Sequence, residues 1–147
     1  MVMRTVERHP DREALVTGGK RWTYLAWNTR INQAASALAA LGIRSYDRVL
    51  IFIHSGEASV TAFLACQKLG AIAVPVNFRL SAGELSHILG DSGARALVYG
   101  AELSEVACRA MQGNESVLRI QVGSTPDARS AAAVHDFEAL ISAASAD

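Results

Sequence analysis

Residues 66–95 constrain the fold of this chain more tightly than any other stretch. In order they read as a helix end at Cys66-Gln67-Lys68-Leu69-Gly70, an apolar strand over 71–76, a loop at Asn77-Phe78-Arg79-Leu80, a helix opened by Ser81-Ala82-Gly83-Glu84, and a second helix end. Glycine ends a helix readily because it enters the left-handed conformation without steric cost. Ser81 and Glu84 make a capping box, in which each side chain satisfies a backbone N–H that the first helical turn leaves without a partner. Leu85, Ile88 and Leu89 give that helix its apolar stripe, and Gly90 or Gly93 closes it. Pro75 falls near the end of its strand, where a missing N–H costs least. Helix, strand and helix this closely joined imply a chain winding back and forth across a sheet.

The flanks repeat the alternation. Residues 13–17 and 21–24, separated by Gly18-Gly19-Lys20, read as a hairpin with a glycine turn. From Tyr24 the apolar period becomes helical, with Trp27, Ile31, Ala34, Ala35, Leu38 and Leu41 on one stripe. Thr23 is its N-cap and Gly42 its stop; Ala26 replaces the acid that would complete a capping box. Residues 47–53 form a continuous apolar run after Asp47-Arg48, as a strand buried on both faces requires. A helix is expected over 55–69 with Val60, Phe63, Leu64 and the small Ala and Cys residues beside them on its stripe, then strands at 94–99 and 116–122. Between those two strands Leu103, Val106, Ala107, Ala110 and Met111 mark another helix, stopped at Gly113. The pattern predicts an α/β fold: a largely parallel, doubly wound sheet with helices on both faces, preceded by a short amino-terminal hairpin. Residues 1–122 are expected to form one subdomain. Residues 123–147, rich in turn and small residues, read as a linker carrying one short capped helix at 136–141.

Charge and cysteine usage narrow the functional classes. Lys plus Arg equal Asp plus Glu at 14 each, so no field steers the chain to nucleic acid or anionic lipid. No apolar run approaches the roughly 20 residues of a membrane span. Cys66 and Cys108 lie far apart without a CxxC or a Cys/His cluster. Without a disulfide framework or a secretory leader, a reducing cytoplasmic setting is expected.

Local motifs offer little chemistry. Gly18-Gly19-Lys20 lacks a following Ser or Thr and opens no helix, so it reads as a turn rather than a phosphate cradle. Gly123-Ser124-Thr125-Pro126 has no second glycine pair and no lysine after it, and reads as linker. His9, His54, His87 and His135 are scattered, which gives no metal site and no triad. His54 stands out because it ends a predicted strand, and ligands of open parallel sheets gather at the carboxyl ends of strands. Its bland reading is a polar residue satisfied at a strand-to-helix junction. Glu84 reads as a cap, Asp91 as a partner of backbone amides in the Asp-Ser-Gly turn, and Cys66 as an inert helix-face thiol.

Several short motifs stand in an order and spacing that resembles the adenylate-forming (AMP-binding) enzymes, the superfamily of acyl-CoA synthetases, peptide-synthetase adenylation domains and luciferases. They are residues 9–16 (HPDREALV), Trp22-Thr23-Tyr24, Leu41-Gly42-Ile43 with Asp47-Arg48-Val49, Lys68-Leu69-Gly70-Ala71 through Pro75, and Asp91-Ser92-Gly93-Ala94. Asn77-Phe78-Arg79-Leu80-Ser81, in place of a proline-punctuated loop, is most similar to acyl-CoA synthetases for fatty or aryl acids. The resemblance implies a parent enzyme that uses ATP, magnesium and coenzyme A. A carboxylate attacks the α-phosphate of ATP, pyrophosphate leaves, and the coenzyme A thiol then displaces AMP. In such enzymes the groups that neutralise phosphate charge lie beyond the portion this chain matches, so no catalytic residue and no metal ligand is assigned here. Phe78 and Arg79 alone are carried over, as a contact for the nucleotide end of coenzyme A. The expectation is an amino-terminal fragment, inactive by itself, without a tightly bound cofactor, and able to form a homodimer through exposed apolar surface. The alternative class is a self-standing flavodoxin-like binding or interaction module.

Overall fold

A computed structural model describes residues 2–124 and 133–146. Its centre is a five-stranded sheet in the order β4-β3-β5-β6-β7, parallel throughout: β3 (Arg48–Phe52), β4 (Ile72–Pro75), β5 (Ala96–Gly100), β6 (Leu118–Val122) and β7 (Val134–Asp136). A separate antiparallel hairpin, β1 (Glu13–Thr17) and β2 (Lys20–Thr23), precedes it. Gly18 and Gly19 both have positive φ, 55° and 75°, as the tight primed turns of hairpins demand.

Successive residues of the central strands face opposite cores. Val49 and Ile51 of β3, with Ala96 and Val98 of β5, pack under α2 (Tyr24–Ala40), α3 (Glu57–Leu69) and α6 (Phe137–Ala143). Leu50 and Phe52, with Leu97 and Tyr99, pack under α4 (Ala82–Ser92) and α5 (Ser104–Ala110). This odd–even partition is why the strands read as unbroken apolar runs rather than alternating ones. The doubly wound expectation is therefore met, with the hairpin where the glycine turn placed it.

Caps follow the sequence closely. The Thr23 hydroxyl accepts from the Ala26 amide at 3.2 Å, and Ser81 and Glu84 complete both halves of their box. Of the two glycines offered as the end of α4, Gly93 is the cap, in the left-handed conformation, and Gly90 stays inside the helix. Asp91 is consequently a helical, exposed residue of the last turn rather than the head of a turn.

Three features differ from expectation. A helix, α1 (Val2–Arg8), precedes the hairpin; at seven residues it is too short to persist alone and rests against α2. Helix α3 buries Thr61, Ala62, Ala65 and Cys66, while Val60 lies 38% exposed and Phe63 and Leu64 are half-buried. The reason is close packing against α2: Ala34, Ala35 and Leu38 share one core with those small residues, and small side chains let the two helices approach. Third, Val134–Asp136 adds a fifth strand beside β6, and the Asp136 carboxylate caps α6 by accepting from the Glu138 and Ala139 amides at 2.9 and 3.1 Å. The linker expected after β6 falls largely on residues 125–132, which lie outside the described residues.

Candidate functional site

The strand order places a switch point between β3 and β5. From β3 the chain winds outward to β4, then returns across β3 to continue through β5 and β6. Open α/β sheets bind ligands in the crevice that this reversal leaves at the carboxyl ends of the strands. Here His54, just past β3, and Glu102, in a 3-10 turn just past β5, meet across that crevice with His54 Nδ1 2.7 Å from Glu102 Oε1.

The loop after β4 joins them. Asn77 to Leu80 is a turn closed by the Leu80 amide on the Asn77 carbonyl at 3.2 Å, and the Asn77 side-chain oxygen accepts from the Arg79 amide at 3.0 Å. An asparagine that bonds its own backbone two residues on fixes such a turn. It presents Phe78 and Arg79 at the centre. The Phe78 ring lies on the His54 imidazole, with centroids 4.1 Å apart and planes tilted by 40°, and the Arg79 guanidinium sits 5.5 Å over the other ring's centroid, that of Phe78. Four side chains from three strand ends thus form one row: Glu102, His54, Phe78, Arg79.

Two cavities flank the row. One, of about 390 Å³, is lined among others by the charged or polar side chains of Lys20, Trp22, His54, Glu57, Glu102 and Glu138. The other, of about 350 Å³, is a mainly apolar groove between α3 and the edge of the sheet, lined by Ile51, Ile53, Val60, Phe63, Pro75 and Phe78. The partial exposure of Val60 and Phe63 follows from this groove.

Beneath the first cavity runs a chain of bonds. The Trp27 indole N–H donates to Thr61 Oγ1 at 2.9 Å, Thr61 donates to Glu57 Oε1 at 2.5 Å, and Arg30 Nε donates to the same oxygen at 2.6 Å. Arg30 also grips Glu138 with both terminal nitrogens, at 2.5 and 3.1 Å, and lies over the Trp22 ring. Burial opposes the charge of Arg30, but its bonds to Glu138 and Glu57 outweigh that and hold its pKa above the usual value. A side chain with all its anionic partners engaged is a structural hub and not a free cation for a ligand.

The remaining sequence candidates disperse. Glu84 is a cap, its carboxyl held below the usual range by the Ser81 backbone N–H and then the Ser81 hydroxyl. Burial pushes the Cys66 thiol up to about 12, which makes it a poor nucleophile at neutral pH. Glu102 went unremarked in the sequence, and Lys20 was read only as part of the hairpin turn. Glu102 carries a usable signal, an acid two residues past the glycine that ends a strand. No three His, Cys, Asp or Glu side chains among the described residues converge to hold a metal ion.

A doubly wound parallel sheet with a crevice at its switch point defines the class of open α/β proteins. Comparison narrows it: the profile of the family described as "AMP-binding enzyme" matches residues 2–144, and the chain belongs to that family. It matches the amino-terminal portion of acyl-CoA synthetases. It is 43% identical over 86 residues to the long-chain-fatty-acid--CoA ligase FadD13 of Mycobacterium tuberculosis, covering 58% of this chain and 17% of that protein. It is 35% identical over 121 residues to a feruloyl-CoA synthase of Amycolatopsis sp, covering 82% of this chain and 24% of that protein. Among solved structures, the anthranilate CoA ligase AuaEII with anthranoyl-AMP superposes at a TM-score of 0.90 and 26% identity, over 99% of this chain and 28% of that one. The amino-terminal domain of FACL13 from Mycobacterium tuberculosis superposes at 0.79 and 30% identity, over 99% of this chain and 35% of that one. The chain thus spans about a quarter or less of the length of these curated relatives.

Proposed function

We propose that this chain is the amino-terminal scaffold of an ATP-dependent acyl-CoA synthetase, a ligase that activates a fatty or aryl carboxylic acid as its adenylate and transfers the acyl group to coenzyme A. The observation that carries this reading is the family match over residues 2–144 together with a ligase at 26% identity superposing over 99% of the chain. Residues 1–122 form the subdomain, and 123–147 lead toward the phosphate-binding part of the parent. The self-standing flavodoxin-like module is set aside on the same match.

On this reading the parent uses ATP, magnesium and coenzyme A, and this chain binds none of them tightly. Its contribution is position. The turn at 77–80 offers Phe78 as a stacking surface and Arg79 as a cation, suited to the adenine and a phosphate at the nucleotide end of coenzyme A. The phosphate-neutralising amides and lysine that adenylation needs have no counterpart among the assigned residues. The protein is cytoplasmic, in keeping with two free cysteines, and no helix among the described residues is long and apolar enough to cross a membrane. The exposed apolar residues Val60 and Ile72 favour a homodimer, which light scattering at high concentration tests by its mass.

Pyrophosphate exchange into ATP, measured with a panel of fatty and aryl acids, tests the central proposal. No exchange is expected from the 147-residue chain, and exchange is expected when the longer parent reading frame is expressed. Exchange by the chain alone overturns the scaffold assignment, and absence of exchange by the parent overturns the ligase.

A further inference from the structure

The contact between His54 and Glu102 spans the switch point, and the backbone has been shaped to permit it. A Cβ on Gly100 would overlap Glu102 Oε1 and stand 2.7 Å from both its carboxyl carbon and its other oxygen. Gly100 has φ −71° and ψ 144°, an ordinary extended conformation, so no backbone constraint calls for glycine there. The missing side chain serves as the space in which the Glu102 carboxylate folds back. From that space the carboxylate reaches His54 and nothing else among the described side chains.

His54 in turn touches Phe78, and Phe78 touches Arg79. The turn that carries both residues is otherwise tied down by its own Asn77 and by the Val76 amide on the Ile51 carbonyl at 3.1 Å. Those bonds fix the turn's backbone and leave the direction of the Phe78 ring to its neighbours. We infer that Glu102 is a positioning residue for the Phe78 ring, and through it for the Arg79 guanidinium, acting through His54, with Gly100 supplying the room the carboxylate occupies. The inference deepens the proposed coenzyme A contact and rests on it for the ligand, though not for the coupling itself.

Charged groups face His54 from every element around the cavity: Lys20 from the hairpin, Glu57 from α3, Glu138 from α6, and Glu102 and Arg79 from the neighbouring loops. Arg30 engages Glu57 and Glu138, which leaves Glu102 as the acid that answers the imidazole directly.

Nuclear magnetic resonance of the 147-residue chain, without ligand, reads the coupling. In the native sequence the ring protons of Phe78 should show nuclear Overhauser contacts to those of His54, as rings 4.1 Å apart require. Glu102→Ala and Gly100→Ala should each weaken those contacts and shift the Phe78 ring and Arg79 side-chain signals, while an otherwise unchanged amide spectrum reports that the fold is intact. In a Phe78→Leu background the Arg79 signals should no longer respond to Glu102→Ala. A Phe78 ring without contacts to His54 in the native chain, or contacts that persist unchanged in Glu102→Ala, overturn the inference. Separately, adenosine 3′,5′-bisphosphate added to the same samples tests the ligand. If it perturbs no signal of 77–80 while the His54–Phe78 contacts persist, the coenzyme A reading fails and the positioning role stands.

Discussion

The two ends of the parallel sheet are held together by different means. At the amino ends of the strands the main chain does the work: Tyr46 N–H donates to the Gly70 carbonyl at 2.9 Å, Ile72 to Asp47 at 2.8 Å, Arg95 to Arg48 at 2.8 Å, and Leu118 to Arg95 at 3.0 Å. At the carboxyl ends side chains bridge the gaps, through His54–Glu102, His54–Phe78 and the Arg30 hub. Backbone stitching depends on geometry and tolerates changes of side chain. Side-chain bridging depends on residue identity and leaves cavities between the bridges. The second arrangement can be adapted to a ligand without disturbing the sheet, which is the physical content of the rule that places sites at the carboxyl ends.

Removing Arg30 tests this contrast most severely. Arg30 and Glu57 are 12% and 14% exposed in their side chains, so Arg30→Met leaves a largely buried carboxylate with only the Thr61 hydroxyl as partner. Breaking a buried pair from one side typically costs about 3–5 kcal/mol. Urea denaturation should place the variant in or above that range, and Arg30→Met with Glu57→Met should recover part of the loss. A loss below about 1 kcal/mol, the worth of an exposed pair, removes Arg30 from its role as hub.

The backbone-stitched end should respond to φ rather than to chemistry. Gly70 caps α3 at φ 72°, and a Cβ there would lie 2.8 Å from Ser45 Oγ. Gly70→Ala therefore combines left-handed strain of about 1–2 kcal/mol with displacement of the Ser45 hydroxyl. In a Ser45→Ala background the second part should vanish, and the double-mutant cycle isolates it. Tyr46 runs the other way: it holds φ 69° without being glycine and is 78% exposed. Tyr46→Gly should raise stability by up to about 1 kcal/mol, because relief of strain exceeds the entropy that glycine adds to the unfolded chain. A lower melting temperature for Tyr46→Gly means the ring makes a contact that its exposure does not suggest.

Most of the backbone-stitched end was legible in the sequence and most of the side-chain-bridged end was not. Glycines 42, 70 and 93, Thr23, Ser81 and the apolar runs act within a few residues of themselves, so local pattern is sufficient to place them. The Glu102–His54–Phe78–Arg79 row joins positions 48 and 24 residues apart, and only the strand order makes them neighbours. His54 could be singled out from its place at a strand's end; Glu102, two residues past a strand-ending glycine, carries a signal of the same kind, but nothing local ties it to His54. The α3 stripe was half right for the same reason. Its small Ala and Cys residues are buried as expected, but Val60 is exposed and Phe63 and Leu64 are only half-buried, because the small face of Ala62, Ala65 and Cys66 is the one that fits against the alanines of α2. Residues 134–136 hide their strand because three residues carry no period and owe their pairing to β6.

The smallest effect falls on Glu102 and separates its charge from its neighbour's packing. The hydrogen bond with His54 holds the Glu102 carboxyl below the usual range, partly offset by burial. A carboxyl depressed on folding adds stability above its unfolded pKa of about 4.3, and that stability is lost as pH falls through the lower folded value. Both side chains are about half exposed, at 48% and 51%, so solvent screens the pair and its worth is that of a surface bridge, about 0.2–1 kcal/mol. His54→Asn should therefore lower the urea midpoint slightly at pH 6, with a deficit that shrinks at pH 4 and below as Glu102 takes up its proton. Added salt should reduce the deficit at pH 6, since it screens the half-exposed Glu102 carboxylate. If the deficit is the same at every pH and salt concentration, the imidazole contributes through its face on Phe78 alone, and the carboxylate bridge at the switch point holds nothing.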